Sequence, residues 1–92
     1  MIKSFKHKGL EKFFIKGIMS KLNAEHIERI RLILLVIHRA KVIDDINFVG
    51  SNLHELRGER KGTYSVTVRA NWRITFEFKD GNAYILNYED YH

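Results

Sequence analysis

The fold is decided by residues 64–88, which read YSVTVRANWRITFEFKDGNAYILNY. Apolar and polar residues alternate through most of this stretch, and a period of two sends successive side chains to opposite faces of a β-strand. Two turn-like breaks, at residues 69–71 and 80–81, divide the stretch into three strands. We therefore expect a small antiparallel sheet with one buried face and one open face.

The first break sets the register of the first two strands. A three-residue loop keeps apolar side chains opposite one another, whereas a two-residue loop would set them against polar ones. The pairs expected from the longer loop are Val68 with Trp72, Val66 with Ile74 and Tyr64 with Phe76.

The second break contains Asp80-Gly81, a strong signal for a two-residue hairpin turn. The pairs expected from that turn are Phe76 with Ile85, Thr75 with Leu86 and Arg73 with Tyr88. In this register Arg73 lies on the open face, and an extended strand brings Asp90 and His92 to the same side. The sequence thus predicts a polar surface on which an arginine and an Asp/His pair converge.

The first half of the chain reads as helical. Leu10, Phe13 and Phe14 recur at helical spacing between residues 8 and 16, and Gly17 is a plausible stop. Asn23 can cap a second helix that runs to about residue 40. Its apolar stripe contains Ile27, Ile30, Ile33, Leu34 and Ile37. Residues 1–5 read as a short strand, and residues 42–49 as a short helix or turn. The expected fold is α+β, with N-terminal helices packed on one face of a small, mainly antiparallel sheet.

Composition limits the possible functions. A chain of 92 residues forms one domain, here residues 1–92, with one core. There are no cysteines, which excludes disulfides and thiolate metal sites. The basic start leads into no apolar segment, and no run approaches the ~18 apolar residues of a membrane span. We expect a cytoplasmic protein with no membrane partner.

The net charge of +5 is unevenly distributed. Residues 1–46 carry ten Lys/Arg against five Asp/Glu, whereas residues 47–92 carry six of each. Within the second half, most of the arginines precede most of the acids. A basic helical face beside an arginine-lined sheet is typical of a protein that binds a polyanion, although charge can also serve solubility alone.

Six residues of the second half have the chemistry for cleaving a phosphodiester: His54, Arg57, Arg73, Asp90, Tyr91 and His92. Two imidazoles can act as base and acid near neutral pH, and arginines can stabilise charge on a phosphate. Tyr91 can stack on a base, and Asp90 can orient a histidine. This chemistry needs no metal or other cofactor. The ordinary alternatives are an exposed structural His54 and loop charges at Arg57 and Arg60.

At these residues the sequence resembles a known family. The segments LHELRG, SVTVRANWRITFEF and AYILNYEDYH are similar to the HigB toxins of the RelE/ParE superfamily, and the resemblance extends to the start, MIKSFKHKGLEKFF. It implies a RelE-like fold and a ribosome-dependent endoribonuclease that cuts messenger RNA in the decoding site at adenine-rich codons. The family's functional residues correspond here to His54, Arg73 and the set Asp90, Tyr91 and His92. Arg57 stands where close relatives can carry lysine, so a proton-donating role there is doubtful.

The resemblance also implies the partners. These are a HigA-like, helix-turn-helix antitoxin, the 70S ribosome with its mRNA, and operator DNA reached only through the antitoxin complex. The antitoxin is expected on helical and N-terminal elements, away from His54 and His92. Basic residues of the first half could contact ribosomal RNA phosphates: Lys8, Lys12, Lys16, Arg29, Arg31 and Arg39.

Two other functions stay open from the sequence. One is a ParE-like toxin that poisons gyrase, which would not depend on His54 or His92. The other is a non-enzymatic module that binds RNA or an antitoxin. The intact histidines and the Asp-Tyr-His set favour the nuclease.

Overall fold

A computed structural model of the chain describes residues 1–90. Helix α1 spans Lys8–Lys16 and helix α2 spans Ile27–Arg39, and the strands are β1 His54–Glu55, β2 Thr63–Arg69, β3 Trp72–Lys79 and β4 Asn82–Asp90. Short 3-10 helices cover Ala24–His26, Ile43–Ile46 and Gly58–Arg60. The strands pair in chain order and antiparallel, which confirms the predicted α+β class. Within this part of the chain, no helix has the length and apolar character needed to cross a membrane.

Helix α1 has the predicted bounds because both of its ends are capped. Nδ1 of His7 accepts a hydrogen bond from the Leu10 N–H at 3.0 Å. At the other end, Gly17 adopts the left-handed φ of 73°, and its N–H bonds the Phe13 carbonyl at 2.9 Å. The stop predicted at Gly17 is confirmed.

Helix α2 begins one turn later than predicted. Asn23 does cap the segment, since its Oδ1 accepts from the Glu25 N–H at 3.0 Å. The turn that follows is a 3-10 helix, and the α-helix starts at Ile27. The predicted stripe is buried at Ile30, Ile33, Leu34 and Ile37, whereas Ile27 is only half-buried.

The core lies between the helices and one face of the sheet. From the sheet it contains Val66, Ile74, Phe76 and Leu86, each at most 1% exposed. Burying a side chain of this size stabilises a fold by roughly 1.5–3 kcal/mol. The helices therefore cover one face of the sheet, as predicted, and leave the opposite face without a helix.

The N-terminal segment pairs with β4 through isolated parallel bridges. Ile2 is bridged to Ala83, and Phe5 is bridged to Leu86. Backbone hydrogen bonds of 2.8 to 3.2 Å join residues 1–7 to residues 83–86. The predicted strand at residues 1–5 is thus present as bridges rather than as a regular strand, and it covers part of the β4 edge.

The β2–β3 register confirms two of the three predicted pairs, Val66 with Ile74 and Tyr64 with Phe76. The third pair is wrong, because Arg69 is the partner of Trp72 and the register shifts between residues 67 and 69. The turn contains two residues, with Ala70 at a φ of 53°. A bulge at Val68 absorbs the extra residue, so that Val68 still reaches the core at 6% exposure.

The β3–β4 turn at Asp80-Gly81 is confirmed, because Lys79 pairs with Asn82 across it. Of the predicted pairs beyond it, Thr75 with Leu86 and Arg73 with Tyr88 are wrong, and Phe76 lies opposite a bulge rather than opposite Ile85 alone. A bulge opposite Phe76 shifts the register by one residue and gives Thr75 with Asn87, Arg73 with Glu89 and Trp72 with Asp90.

The physical cause of this shift is Ile85, which adopts a φ of 58°. Its N–H donates to the Ser4 hydroxyl at 2.9 Å, and the N–H of Leu86 donates to the Ser4 carbonyl at 3.1 Å. The N-terminal segment therefore stabilises the bulge. The shift moves Tyr88 and Asp90 to the helix side and brings Glu89 to the open face, so the predicted meeting of Arg73 and Asp90 on one face is wrong.

Candidate active site

The open face of the sheet carries two neighbouring rows of polar side chains. The first row runs across all four strands through successive cross-strand pairs and contains His54, Ser65, Thr75 and Asn87. The second row contains Thr67, Arg73 and Glu89. Paired residues share a face, so His54 and Arg73 project from the same side of the sheet.

His54 is exposed, and its ring orientation is fixed from one side. Its Nδ1 lies 2.9 Å from the Asn52 carbonyl oxygen, which can only accept a hydrogen bond. Nδ1 therefore carries the proton, and in the neutral ring Nε2 keeps its lone pair. This tautomer can accept a proton at Nε2.

The segment before His54 is anchored on β2. The N–H of Thr67 donates to the Ser51 carbonyl at 2.9 Å, and Ser51 is fully buried. Asn52 then turns the chain with a φ of 49°. Because this turn supplies the carbonyl that binds His54, the backbone of the segment sets the orientation of the imidazole.

A cavity of about 400 Å³ opens beside the imidazole and is lined by His54, Glu55, Leu56, Arg57 and Arg60. We call it the His54 cavity. The loop that forms its wall is closed by two bonds: the Leu56 N–H to the Thr63 carbonyl at 2.8 Å, and the Gly62 N–H to the Glu55 carboxylate at 2.9 Å. An imidazole and two guanidinium groups thus meet in one cavity.

Glu89 is the centre of a hydrogen-bond network on the open face. Its carboxylate accepts two bonds from Arg60, at 2.8 and 2.9 Å. Thr75 donates to it at 2.8 Å and Asn87 at 3.1 Å. These donors, led by Arg60, lower the pKa of Glu89 from 4.5 to about 2, while the carboxylate raises the pKa of Arg60. The network holds Arg60 over the sheet.

The helix side beneath Asp90 is packed with aromatic rings. Trp72, the cross-strand partner of Asp90, stacks on Tyr88 with ring centroids 4.6 Å apart. The Tyr88 hydroxyl lies 2.6 Å from Nδ1 of the buried His26. Burial raises the pKa of Tyr88, and the charge of Asp90 raises it further. The end of β4 is therefore held by aromatic stacking and by the hydrogen bonds of Tyr88 with His26 and with the Asn23 backbone.

The structure brings together only part of the predicted site. His54 and Arg57 line one cavity, and Arg73 lies on the same face of the sheet. Asp90 lies at the end of β4 on the opposite side, next to Tyr88. Tyr91 and His92 lie outside the described residues.

Sequence reasoning missed Glu89 and gave Arg60 only the role of a loop charge. The signal for Glu89 was its position two residues after Asn87, on the face that also carries Thr75. The unrecognised bulge hid that signal, because it exchanges the two faces of β4.

Comparison with known proteins identifies relatives over nearly the whole chain. Residues 3–92 match the family described as RelE-like toxin of type II toxin-antitoxin system HigB. The chain is 55% identical over 92 residues to Endoribonuclease HigB of Proteus vulgaris, and the match covers all of both chains.

Among solved structures, the fold is similar to the crystal structure of YafQ from E. coli strain BL21(DE3). The TM-score is 0.59 at 13% identity, and the match covers 98% of this chain and 91% of that one. At this identity the likeness shows a shared fold of helices on an antiparallel sheet.

Proposed function

This chain belongs to the HigB family of RelE-like toxins of type II toxin-antitoxin systems, and from that premise we propose that it stops translation by cutting messenger RNA in the ribosomal A site at adenine-rich codons. The chain is an endoribonuclease toxin, as its full-length relationship to Endoribonuclease HigB indicates. A type II system pairs its toxin with an antitoxin, so an antitoxin is a partner. Ribosome dependence, the A site and the codon preference belong to the proposal.

The observation that carries the proposal is His54 at the rim of a cationic cavity. Its Nδ1–H is bound to the Asn52 carbonyl, which leaves Nε2 as the acceptor for a substrate proton. Arg57 lines the same cavity. A phosphodiester in this cavity would have a base and a guanidinium within one site.

The reaction is attack of a 2′-hydroxyl on the adjacent 3′-phosphate. A base removes the hydroxyl proton, the 2′-oxygen bonds to phosphorus, and the bond to the 5′-oxygen breaks as that oxygen receives a proton. The products are a 2′,3′-cyclic phosphate and a 5′-hydroxyl. His54 and His92 share proton transfer, and Tyr91 positions the nucleotide. Asp90 lies on the helix side of β4, so its proposed role is to orient the end of the strand rather than to contact the phosphate.

Arg73 and Arg57 stabilise the charge that develops on the phosphate. A guanidinium stays charged at every working pH and offers planar donors to phosphate oxygens. Arg73 is half-buried on the open face, in the row next to His54. Arg57 is exposed and contributes from the loop.

Ribosomal RNA is the proposed partner of the helical face. Two of the six cations expected there already have partners within the chain. Arg29 donates to the Gly50 carbonyl and lies over the Phe48 ring, while Arg31 pairs with Glu28. The other four, Lys8, Lys12, Lys16 and Arg39, therefore carry most of the proposed phosphate contacts. The antitoxin is proposed to bind helical and N-terminal elements without covering His54.

Primer extension on a defined message tests this function. Purified protein is incubated with programmed ribosomes that hold an adenine-rich codon in the A site, beside a ribosome-free control. We expect cuts within that codon only when ribosomes are present. Asp90→Ala and His92→Ala should abolish most of the cutting, and wild-type cleavage by either variant would overturn its proposed role.

The rival functions give different outcomes in the same assay. A folded sample that cuts in neither tube would support a gyrase poison or a binding module, and gyrase supercoiling assays would separate those two. Cutting of naked message at the same rate would remove ribosome dependence while keeping the nuclease.

A further inference from the structure

A second, smaller cavity lies on the open face next to the His54 cavity. It crosses the sheet from Thr63 on β2, past Glu77 on β3 and Asn87 on β4, to Lys6 and Ile85 at the covered edge. We call it the edge cavity. Arg60 lines both this cavity and the His54 cavity, so the two adjoin at one guanidinium.

The size and chemistry of the edge cavity limit what it can bind. Its volume of about 170 Å³ is below the ~300–1,000 Å³ typical of pockets for drug-sized ligands. Its lining combines Lys6 and Arg60, whose guanidinium is paired with Glu89, with the carboxylate of Glu77 and the amide of Asn87. Lys6 suits a phosphate, and the acceptor oxygens of Glu77 and Asn87 suit sugar hydroxyls, the 2′-hydroxyl among them.

Lys6 is available to bind an anion at this position. Its backbone N–H donates to the Leu86 carbonyl at 2.8 Å, which fixes the residue beside the bulge. Its side chain is exposed and has no ion-pair partner within residues 1–90. The fixed backbone removes the main-chain part of the entropy cost of binding, and the exposed side chain still loses rotamer freedom when it binds a phosphate.

Ile85 supplies an independent observation. A β-branched residue at a φ of 58° is a conformational outlier, and such strain together with β-bulges is concentrated at functional sites. Its side chain is 46% exposed and lines the edge cavity. The strained bulge therefore forms one wall of the cavity.

We propose that the edge cavity binds one ribose–phosphate unit of the message, adjacent to the nucleotide that is cleaved beside His54. The proposal rests on the proposed function, because it assumes a single-stranded RNA on the open face. Since Arg60 borders both cavities, one continuous strand can occupy the two in succession. Lys6 then binds the flanking phosphate and contributes affinity rather than chemistry.

The test compares Lys6→Ala with Lys3→Ala, which removes the same charge from an exposed lysine of the same segment that does not line the cavity. Both are bound to ribosomes carrying a message with a 2′-O-methyl group at the cleavage position, so that binding is measured without cutting. Lys6→Ala should weaken binding about three- to tenfold, as expected for one charged hydrogen bond at an exposed site. The slope of log affinity against log salt should also fall by about 0.7, the value for one single-strand phosphate. Lys3→Ala should change neither quantity.

Messages with a single neutral methylphosphonate identify the phosphate. At the position that contacts Lys6, the substitution should weaken wild-type binding and leave Lys6→Ala unaffected, because both changes remove the same contact. The proposal would be overturned if Lys6→Ala bound with the same affinity and the same salt slope as the wild type. The proposal would also be overturned if Lys6→Ala weakened binding to every methylphosphonate message as much as to the unsubstituted one. The phosphate that Lys6 contacts would then belong to ribosomal RNA.

Cleavage kinetics separate this proposal from the proposed function. With an unmodified message, Lys6→Ala should raise KM and leave kcat unchanged, as expected for lost uniform binding. Absence of cleavage by the wild-type protein would reject the nuclease on ribosomes. Normal wild-type cleavage with unchanged KM for Lys6→Ala would reject the edge cavity alone.

Discussion

Glu89 binds the guanidinium of Arg60 through two hydrogen bonds, and so joins the loop beside His54 to the last strand of the sheet. The pair is only partly exposed, since the Glu89 side chain is 22% accessible and the Arg60 side chain 46%. Thr75 and Asn87 complete the set of donors. One carboxylate thereby fixes the cation that borders both cavities of the open face.

Glu89→Gln should make stability less dependent on pH. The folded pKa of about 2 lies below the ordinary 4.5, so the stabilisation is present above pH 4.5 and is lost as pH falls towards 2. Allowing for the solvent around Arg60, the carboxylate contributes on the order of 2 kcal/mol at neutral pH. Urea unfolding at pH 7 and at pH 3 should show a smaller loss of stability in the variant than in the wild type.

Another carboxyl group also has a lowered pKa, so the wild-type curve alone does not identify Glu89. That group is Asp45, because backbone donors at Lys41 and Val42 lower its pKa. Asp45 contributes equally to both proteins, so its contribution cancels when the unfolding free energy of Glu89→Gln is subtracted from that of the wild type at each pH. Parallel pH profiles would mean that the Arg60 pair contributes nothing measurable.

Tyr88→Phe should destabilise the protein by about 1–3 kcal/mol. The substitution keeps the ring that stacks on Trp72 but leaves Nδ1 of His26 buried without its partner. Tyr84→Phe is the matched control on the same strand, because the Tyr84 hydroxyl has no hydrogen-bond partner within residues 1–90. Equal unfolding free energies for the two variants would contradict this role of the His26–Tyr88 bond.

Truncation of two neighbouring residues of β4, Leu86 and Ile85, should affect stability to very different extents. Leu86 is fully buried, so Leu86→Ala should cost about 2–5 kcal/mol. Ile85→Gly should relieve about 1–2 kcal/mol of left-handed backbone strain. The substitution also removes side-chain contacts and raises the conformational entropy of the unfolded chain. These effects offset one another, so stability should change by less than about 1 kcal/mol. Denaturant unfolding measures both, and a large loss for Ile85→Gly would show that the bulge is held by side-chain packing.

His54→Ala should separate activity from stability. The side chain is exposed, so the free energy of unfolding should change by no more than about 0.5 kcal/mol. Loss of the proposed general base should slow single-turnover cleavage at least ~100-fold. The two measurements are made on one preparation, by thermal unfolding and by primer extension. Near-normal cleavage by the folded variant would assign proton removal to another group.

The sequence predicted those parts of the fold that depend on local patterns. The Gly17 stop, the Asn23 cap and the Asp80-Gly81 turn each have a specific local mechanism, and each is present. The buried stripe of α2 likewise follows from helical spacing alone. These features need no information from distant residues.

The two bulges could not be predicted in this way. Neither Val68 nor Ile85 is a residue that favours a bulge, and isoleucine disfavours a positive φ. Ile85 adopts it because Ser4, 81 positions away, accepts the hydrogen bonds of the bulge. A long-range contact thus overrides the local alternation and decides which face Glu89 and Asp90 occupy.

The pairing of residues 1–7 with residues 83–86 also constrains the order of folding. The earliest part of the chain has to wait for β4 before its backbone groups find partners, and closing so long a loop is entropically costly and slow. Until then the β4 edge is open, and open edges promote association between chains. The same contact stabilises the Ile85 bulge. The side chains of β4 therefore reach their correct faces only when residues 1–7 have docked. A refolding experiment should therefore show recovery of nuclease activity lagging behind recovery of helical circular dichroism.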